Sequence, residues 1–316
     1  MTTPPAPADT VAGTTVSTPV RPAIAAILLA VVVVLWGVNW PVMKVGLADM
    51  PPLTFAAARL VLGTLTLFAV AAAMGQLRLP SRHDRSIVLW VGLLQMAGFL
   101  LLICLGLMVV PAGRSSILAY TTPLWVVPLA YVFLGERLDR AKAAGLALGL
   151  SGIAVMFNPL AIDWNDGRVL LGNGLLMLAA LVWAINIVQV RGHRWEGTPL
   201  SLGPWQLLVG AAIMVPVALL VERLDEVAWT GRLALVLFYN GPICTGFCYW
   251  AMVTVTRALP AVTTSLGSLG SPVVGLLAST LFLGEPLTGT NLGGLLLICG
   301  GLALVALADK FGKRSS

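Results

Sequence analysis

The sequence predicts an all-α polytopic membrane protein with ten transmembrane helices arranged as two inverted five-helix repeats. Three observations carry that expectation. The 316-residue chain is 58% hydrophobic and only 10% charged, with a mean hydropathy of +0.94, more apolar surface than a soluble domain of that size can hide. Apolar runs of bilayer-spanning length succeed one another from residue 23 to residue 309. A set of landmarks also recurs: Pro260 follows Pro111, Pro272 follows Pro123, Phe282 follows Phe133 and Glu285 follows Glu136, each by 149 residues. Gly145/Gly294 and Gly152/Gly301 keep the same spacing.

In chain order, residues 1–22 are rich in Pro, Thr and Ala and lack periodicity, which predicts a disordered tail. The apolar run after it is too long for a signal peptide, and further spans follow. Segments 23–47, 53–74, 86–109, 113–134 and 140–157 make the first repeat, 23–157. A connecting loop occupies 158–167. Segments 168–191, 202–221, 232–255, 259–282 and 288–309 make the second repeat, 168–309, and 310–316 is a basic tail. Five is odd, so the second repeat enters the membrane upside down and the pseudo-two-fold axis lies in the membrane plane. Duplication for stability alone is the blander alternative.

The net charge of +6 does not point to nucleic acid, because the basic residues sit in short connections and form no stripe with interleaved aromatics. Sorting the connections alternately puts thirteen Lys and Arg on the side of the N-terminus against five on the other, with Arg59 inside a helix. That asymmetry predicts cytoplasmic N- and C-termini in a bacterial inner membrane. Cys104, Cys244, Cys248 and Cys299 lie in apolar runs and read as packing residues. His83 and His193 lie in polar connections, so neither a metal nor another cofactor is expected. No nucleophile–base pair or carboxylate pair lies at depth, which argues against an enzyme. The expected partners are membrane lipid and a small-molecule substrate, and the chain is expected to be a monomer.

The first helix carries Trp36-Gly37-Val38-Asn39-Trp40-Pro41, the second carries Arg59, and each repeat closes on a Pro-Ala … Pro … Leu-Gly-Glu pattern. On these residues the chain resembles the drug/metabolite transporter superfamily, specifically the ten-helix carriers with two EamA domains, over 23–309. Among these it is most similar to bacterial aromatic amino-acid exporters. The resemblance implies a central cavity surrounded by helices of both halves, with the fifth and tenth helices peripheral. It also implies a carrier that exports small amphipathic metabolites, aromatic and other neutral amino acids foremost. A multidrug carrier for organic cations, and a non-transporting scaffold or lipid scramblase, are the alternatives.

The candidate substrate-binding residues follow from helical spacing. Trp36 and Asn39 share a helical face, and Trp183 and Asn186 repeat the pair 147 residues later. An amide near mid-helix either lines a cavity or bonds to a neighbouring helix. Gln95 and Phe99 on the third helix, Tyr120 on the fourth, and Thr245 and Tyr249 on the eighth join them. Met252 and Thr256 continue that last stripe. Trp90, Trp164, Trp195, Trp205 and Trp229 fall near helix ends and read as interfacial anchors. Trp40, Trp125 and Trp250 lie deeper, but only Trp36 and Trp183 are assigned to the site.

Pro123 and Pro272 should bend helices four and nine, and Gly267 and Gly270 should soften the ninth into a kink or a gate. Lys44, Arg59 and Arg114 form a candidate set for steering a carboxylate on the outer side. For Arg59, snorkelling to outer headgroups or pairing with a helix terminus is the competing expectation. Glu136 and Glu285 should cap or pair with local donors. No acidic residue or histidine falls in the middle of a segment, which predicts facilitated diffusion.

Overall fold

The computed structural model describes residues 20–110, 115, 118–136, 138–157, 166–284 and 288–312. Arg114, Pro111, Trp164 and Glu285 lie outside that set. Helix α1 spans Pro22–Gly46 and α2 spans Pro52–Ala73. Helix α3 runs through Arg85–Trp90, a π-helical stretch Val91–Phe99, and Leu100–Leu107. Then come α4 (Thr122–Leu134), α5 (Arg140–Phe157), α6 (Gly167–Gly192) and α7 (Pro199–Val221). Helix α8 is Gly231–Phe238, a second π-helical stretch Tyr239–Phe247, and Cys248–Ala258. Helix α9 comes in two pieces, Ala261–Ser268 and Gly270–Leu283, and α10 spans Gly289–Gly312. There is no strand among the described residues.

Local chemistry sets these starts. Proline opens α1, α2 and α7, where its missing N–H costs nothing. Before α7, Thr198 and Ser201 form a reciprocal capping box. Asp166 accepts the Arg168 N–H at 2.8 Å ahead of α6. The tail was expected through residue 22, but α1 already begins there, and α10 continues past the expected end at 309.

Seven helices, α1, α2, α3, α6, α7, α8 and α9, are long and apolar enough to cross a bilayer. Thr122–Leu134 and the stretch Leu292–Gly301 are apolar but shorter, and α5 carries Arg140 and Lys142 in its first turn. Ten spans were expected, and seven have the length and composition to cross among the described residues. Leu220, Leu235 and Leu281 are 86%, 73% and 77% exposed, an apolar exterior suited to lipid. The chain is a multi-pass membrane protein.

Helix packing follows an exchange rule between the halves. α1 packs on α9 as α6 packs on α4, α2 on α8 as α7 on α3, and α1 on α8 as α6 on α3. The pairs α2/α7 and α5/α10 map onto themselves. The α5/α10 crossing is made by the repeated glycines. A Cβ on Gly152 would stand 2.6 Å from the Gly294 carbonyl oxygen, and one on Gly301 2.5 Å from that of Gly145. Only hydrogen fits at those positions.

The Leu-Gly-Glu landmark also has a local cause. Gly135 and Gly284 end α4 and α9 with φ of +66° and +67°, a left-handed turn that glycine adopts without strain. The carboxylate of Glu136, just past that turn, accepts the N–H groups of Ala261 and Val262 at 2.9 and 3.2 Å. Glu136 thus caps a helix, one of its two expected roles, and the helix is α9, in the other half of the chain.

The prolines act differently from a smooth bend. Pro272 has no N–H to continue the ladder, and α9 breaks at Leu269 three residues before it. Gly270 opens the second piece, while Gly267 packs so closely on Leu29 of α1 that a Cβ would meet it at 2.5 Å. Pro123 sits in the first turn of α4, with Thr121 at φ −72° and ψ 0° ahead of it. Pro128 lies within the same helix.

Candidate functional site

The broken and π-helical stretches surround one cavity of about 130 Å³. Helices α1, α2, α3, α6, α8 and α9 and the entry to α4 all contribute to its wall. The two π-helical stretches, one in each half, supply Gln95, Met96 and Phe99 on one side and Cys244 and Thr245 on the other. A π turn holds one residue more than an α turn, so it rotates the following side chains relative to regular spacing.

The apolar part of the wall is aromatic. Trp36 and Trp183 meet edge to face with ring centroids 5.6 Å apart, and Phe99 lies 4.8 Å from Trp183. Trp40 and Tyr120 form a second edge contact at 6.3 Å. The Trp36 indole N–H donates to the Cys244 carbonyl at 3.0 Å, which locks its ring against α8. Tyr239, in the same π-helical stretch, donates its hydroxyl to the Leu35 carbonyl at 2.8 Å.

The polar part includes Asn39, Arg59, Gln95, Thr245 and Tyr249, with the hydroxyl residues Tyr120, Thr122 and Ser268 also in the wall. Asn39 is buried and its Oδ1 has no hydrogen-bond partner among the described residues. Arg59 is 9% exposed; its Nε donates to Thr245 Oγ1 at 2.9 Å, and one Nη lies 3.5 Å from the Met43 sulfur. Snorkelling to outer headgroups is therefore ruled out for Arg59: α8 covers it, and the side chain turns into the cavity. Tyr249 donates its hydroxyl to Gln206 Oε1 at 2.6 Å. Gln206 stands at the Arg59 position of the second half. No Asp or Glu lines the cavity among the described residues.

Most of the sequence candidates meet here: Trp36, Asn39, Gln95, Phe99, Tyr120, Trp183, Thr245 and Tyr249 line the cavity. Asn186 does not; its amide donates to Gln95 Oε1 from behind the wall. Lys44 is in the last turn of α1, exposed and away from the lining. Of the Thr245 stripe, Met252 packs between α1 and α8, and Thr256 bonds back to the Met252 carbonyl at 2.9 Å. Trp40, Met43, Met96 and Cys244 were missed. Trp40 and Met43 stand four and seven residues after Trp36, a spacing that continues its face.

Trp195 is likewise not an interfacial anchor. It is buried, donates to the Val190 carbonyl at 2.9 Å and carries the Arg257 guanidinium 4.6 Å over its ring. Close by, His193 Nε2 lies 3.0 Å from Asp84, and the His193 ring stacks on His83.

A bundle of membrane-crossing helices in two matching halves, with a cavity walled by both, defines a polytopic membrane transporter. The chain belongs to the EamA-like transporter family, whose pattern it matches twice, over residues 23–158 and 170–307. It is 30% identical over 292 residues to the uncharacterized transporter YvbV of Bacillus subtilis (strain 168), covering 92% of this chain and 94% of that protein. It is also 30% identical over 305 residues to a probable amino-acid metabolite efflux pump of Escherichia coli (strain K12), covering 91% and 95%. One crystal structure superposes with a TM-score of 0.74 at 23% identity, over 92% of this chain and 99% of its own, a likeness of fold.

Proposed function

We propose that this protein exports small amphipathic metabolites, neutral and aromatic amino acids foremost, across a bacterial inner membrane. The observation that carries the reading is the meeting of Trp36 and Trp183, one from each half, in the wall of a cavity that also holds amide, hydroxyl and guanidinium groups. Aromatic faces accept an apolar side chain, and a few convergent polar groups orient the polar end. The efflux-pump name of the Escherichia coli relative supports amino acids as the cargo class. An organic cation would instead be set against Arg59, with no carboxylate among the described lining residues to receive it.

In this reading the chain crosses the membrane ten times as a monomer, with α4, α5 and α10 spanning alongside the longer helices and both termini in the cytoplasm. Residues 23–157 and 168–309 form inverted repeats, and alternating access arises as they exchange conformations about an axis in the membrane plane. The exchange of packing partners between the halves supports that symmetry. The break before Pro272 and the start of α4 at Pro123 supply the flexible points, and flux runs down the gradient of the cargo. The test is uptake of a labelled neutral amino-acid mixture into proteoliposomes, with a preloaded amino acid driving exchange. Uptake no faster than in protein-free liposomes would refute the carrier.

A further inference from the structure

The Arg59 side chain has more hydrogen-bonding capacity than its surroundings use. A guanidinium carries five N–H donors in a planar fork. Among the described residues Arg59 meets one hydroxyl, that of Thr245, and one weak acceptor, the Met43 sulfur. No carboxylate lies within ion-pair distance of it among those residues, although it is about nine-tenths buried. A buried charge without a counter-ion is costly unless a partner arrives to neutralise it. The corresponding position of the second half holds neutral Gln206, which accepts from Tyr249 and does not line the cavity. Among the described residues the cavity therefore has a single cationic end.

Its remaining groups lie in order along α1. Met43 touches Arg59, Asn39 stands one turn further down, and Trp36 about another turn beyond, against Trp183, which Phe99 contacts in turn. At 1.5 Å per residue the axial distance from Met43 to Trp36 is about 10 Å. That sequence runs from cation, through an unpartnered amide oxygen, to an aromatic floor. Asn39 Oδ1 is a neutral acceptor, so it takes an ammonium, an amide N–H or an indole N–H alike.

We infer that Arg59 is the carboxylate anchor of the cavity and that the cargo class is small monocarboxylates with an apolar body, recognised by the carboxylate and not by a charged amine. The inference rests on the carrier reading above and narrows its substrate class. The guanidinium fork matches a carboxylate bidentately, and among the described residues no acidic side chain in the lining matches an ammonium. The amine of an amino acid is then dispensable, while loss of the carboxylate is not.

Matched sets decide it: tryptophan, N-acetyltryptophan and tryptamine, and leucine with its N-acetyl and decarboxylated counterparts. Each is tested as an inhibitor of uptake of the labelled amino-acid mixture into proteoliposomes. The acids, N-acetylated or free, should inhibit, and the amines should be weaker by at least about tenfold. Arg59→Gln, which copies the residue of the second half, should remove the distinction, and Arg59→Lys should retain part of it. Amines that inhibit as well as the acids in the wild-type protein overturn the inference and leave the carrier standing. N-acetylated acids that fail where free amino acids inhibit overturn it too. Absence of uptake of the mixture itself refutes the carrier. If Arg59→Gln does not fold, the wild-type sets decide alone.

Discussion

Trp36 and Trp183 occupy equivalent positions in the two repeats, 147 residues apart, and touch each other edge to face at 5.6 Å with an interplanar angle of 70°. The two halves of the protein thus meet through the same residue type at the centre of the cavity. Their surroundings differ: Trp36 is held by the Cys244 carbonyl, and Trp183 by the tilted Phe99 ring.

Because the rings contact each other, their substitutions should not add. Trp36→Phe and Trp183→Phe should each lower transport while the protein stays folded. The double variant should show a coupling of about 0.5–1.5 kcal/mol in thermal stability. A double-mutant cycle in detergent, alongside proteoliposome flux for each variant, measures both quantities. Additive stability effects would mean that the edge contact contributes nothing.

Glu136 ties the end of α4 to the start of α9, with the Arg191 guanidinium 3.9 Å away. Its carboxylate meets the partial positive charge of a helix N-terminus as well as two N–H donors. Glu136→Ala should cost about 1 kcal/mol of stability, within the range for losing a cap, and Glu136→Gln less, since the amide oxygen still accepts. Thermal unfolding of the purified variants checks the order.

The parts of this architecture legible in the sequence are those with local causes. Apolar runs located the helices, and the Leu-Gly landmark reflects a left-handed glycine at the end of α4 and of α9, the first followed by Glu136, which caps another helix. The Trp/Asn spacing put Trp36 and Asn39 on one face. What was not legible depends on partners distant in the chain. The direction of Arg59 is set by Thr245, 186 residues away, and that of Asn186 by Gln95, 91 residues away. The π-helical stretches left no compositional mark that periodicity detects, so Met96 and Cys244 went unassigned. Trp195 looked like an anchor because its cover, Arg257, comes from α8.

Asp49, in the connection between α1 and α2, accepts two hydrogen bonds from Arg232, one of them at 3.0 Å, and one from Thr230 at 3.1 Å. The bonds from Arg232 hold its carboxyl below the ordinary value of 3.8, outweighing the opposing effect of burial. A folded pKa below the unfolded one stabilises the fold above the unfolded value and is lost as pH falls through the folded one. Asp49→Asn should therefore lower the unfolding temperature by a constant amount above about pH 5, and the gap should narrow below about pH 4. Thermal scans across that range decide it; a gap that persists at the acid end would assign the effect to packing.

The last prediction concerns energy coupling. A carrier driven by protons needs a group that gains and loses one while facing the cargo. Among the described residues, Glu136, Glu222 and Asp84 are committed elsewhere. Glu136 caps α9, and Glu222 accepts the Leu53 and Thr54 N–H groups at the start of α2, at 2.9 and 2.6 Å. Asp84 accepts from Gly197 at 2.7 Å and faces His193, and neither lines the cavity. Among the described residues Arg59 is the one basic or acidic side chain in the lining. Flux should therefore follow the gradient of the cargo alone. In proteoliposomes at zero membrane potential, an imposed pH gradient of two units should change initial rates by less than about twofold and drive no uphill accumulation. Accumulation against the cargo gradient would refute the facilitator reading, and Glu136→Gln and His193→Gln would then be the first variants to test for its loss.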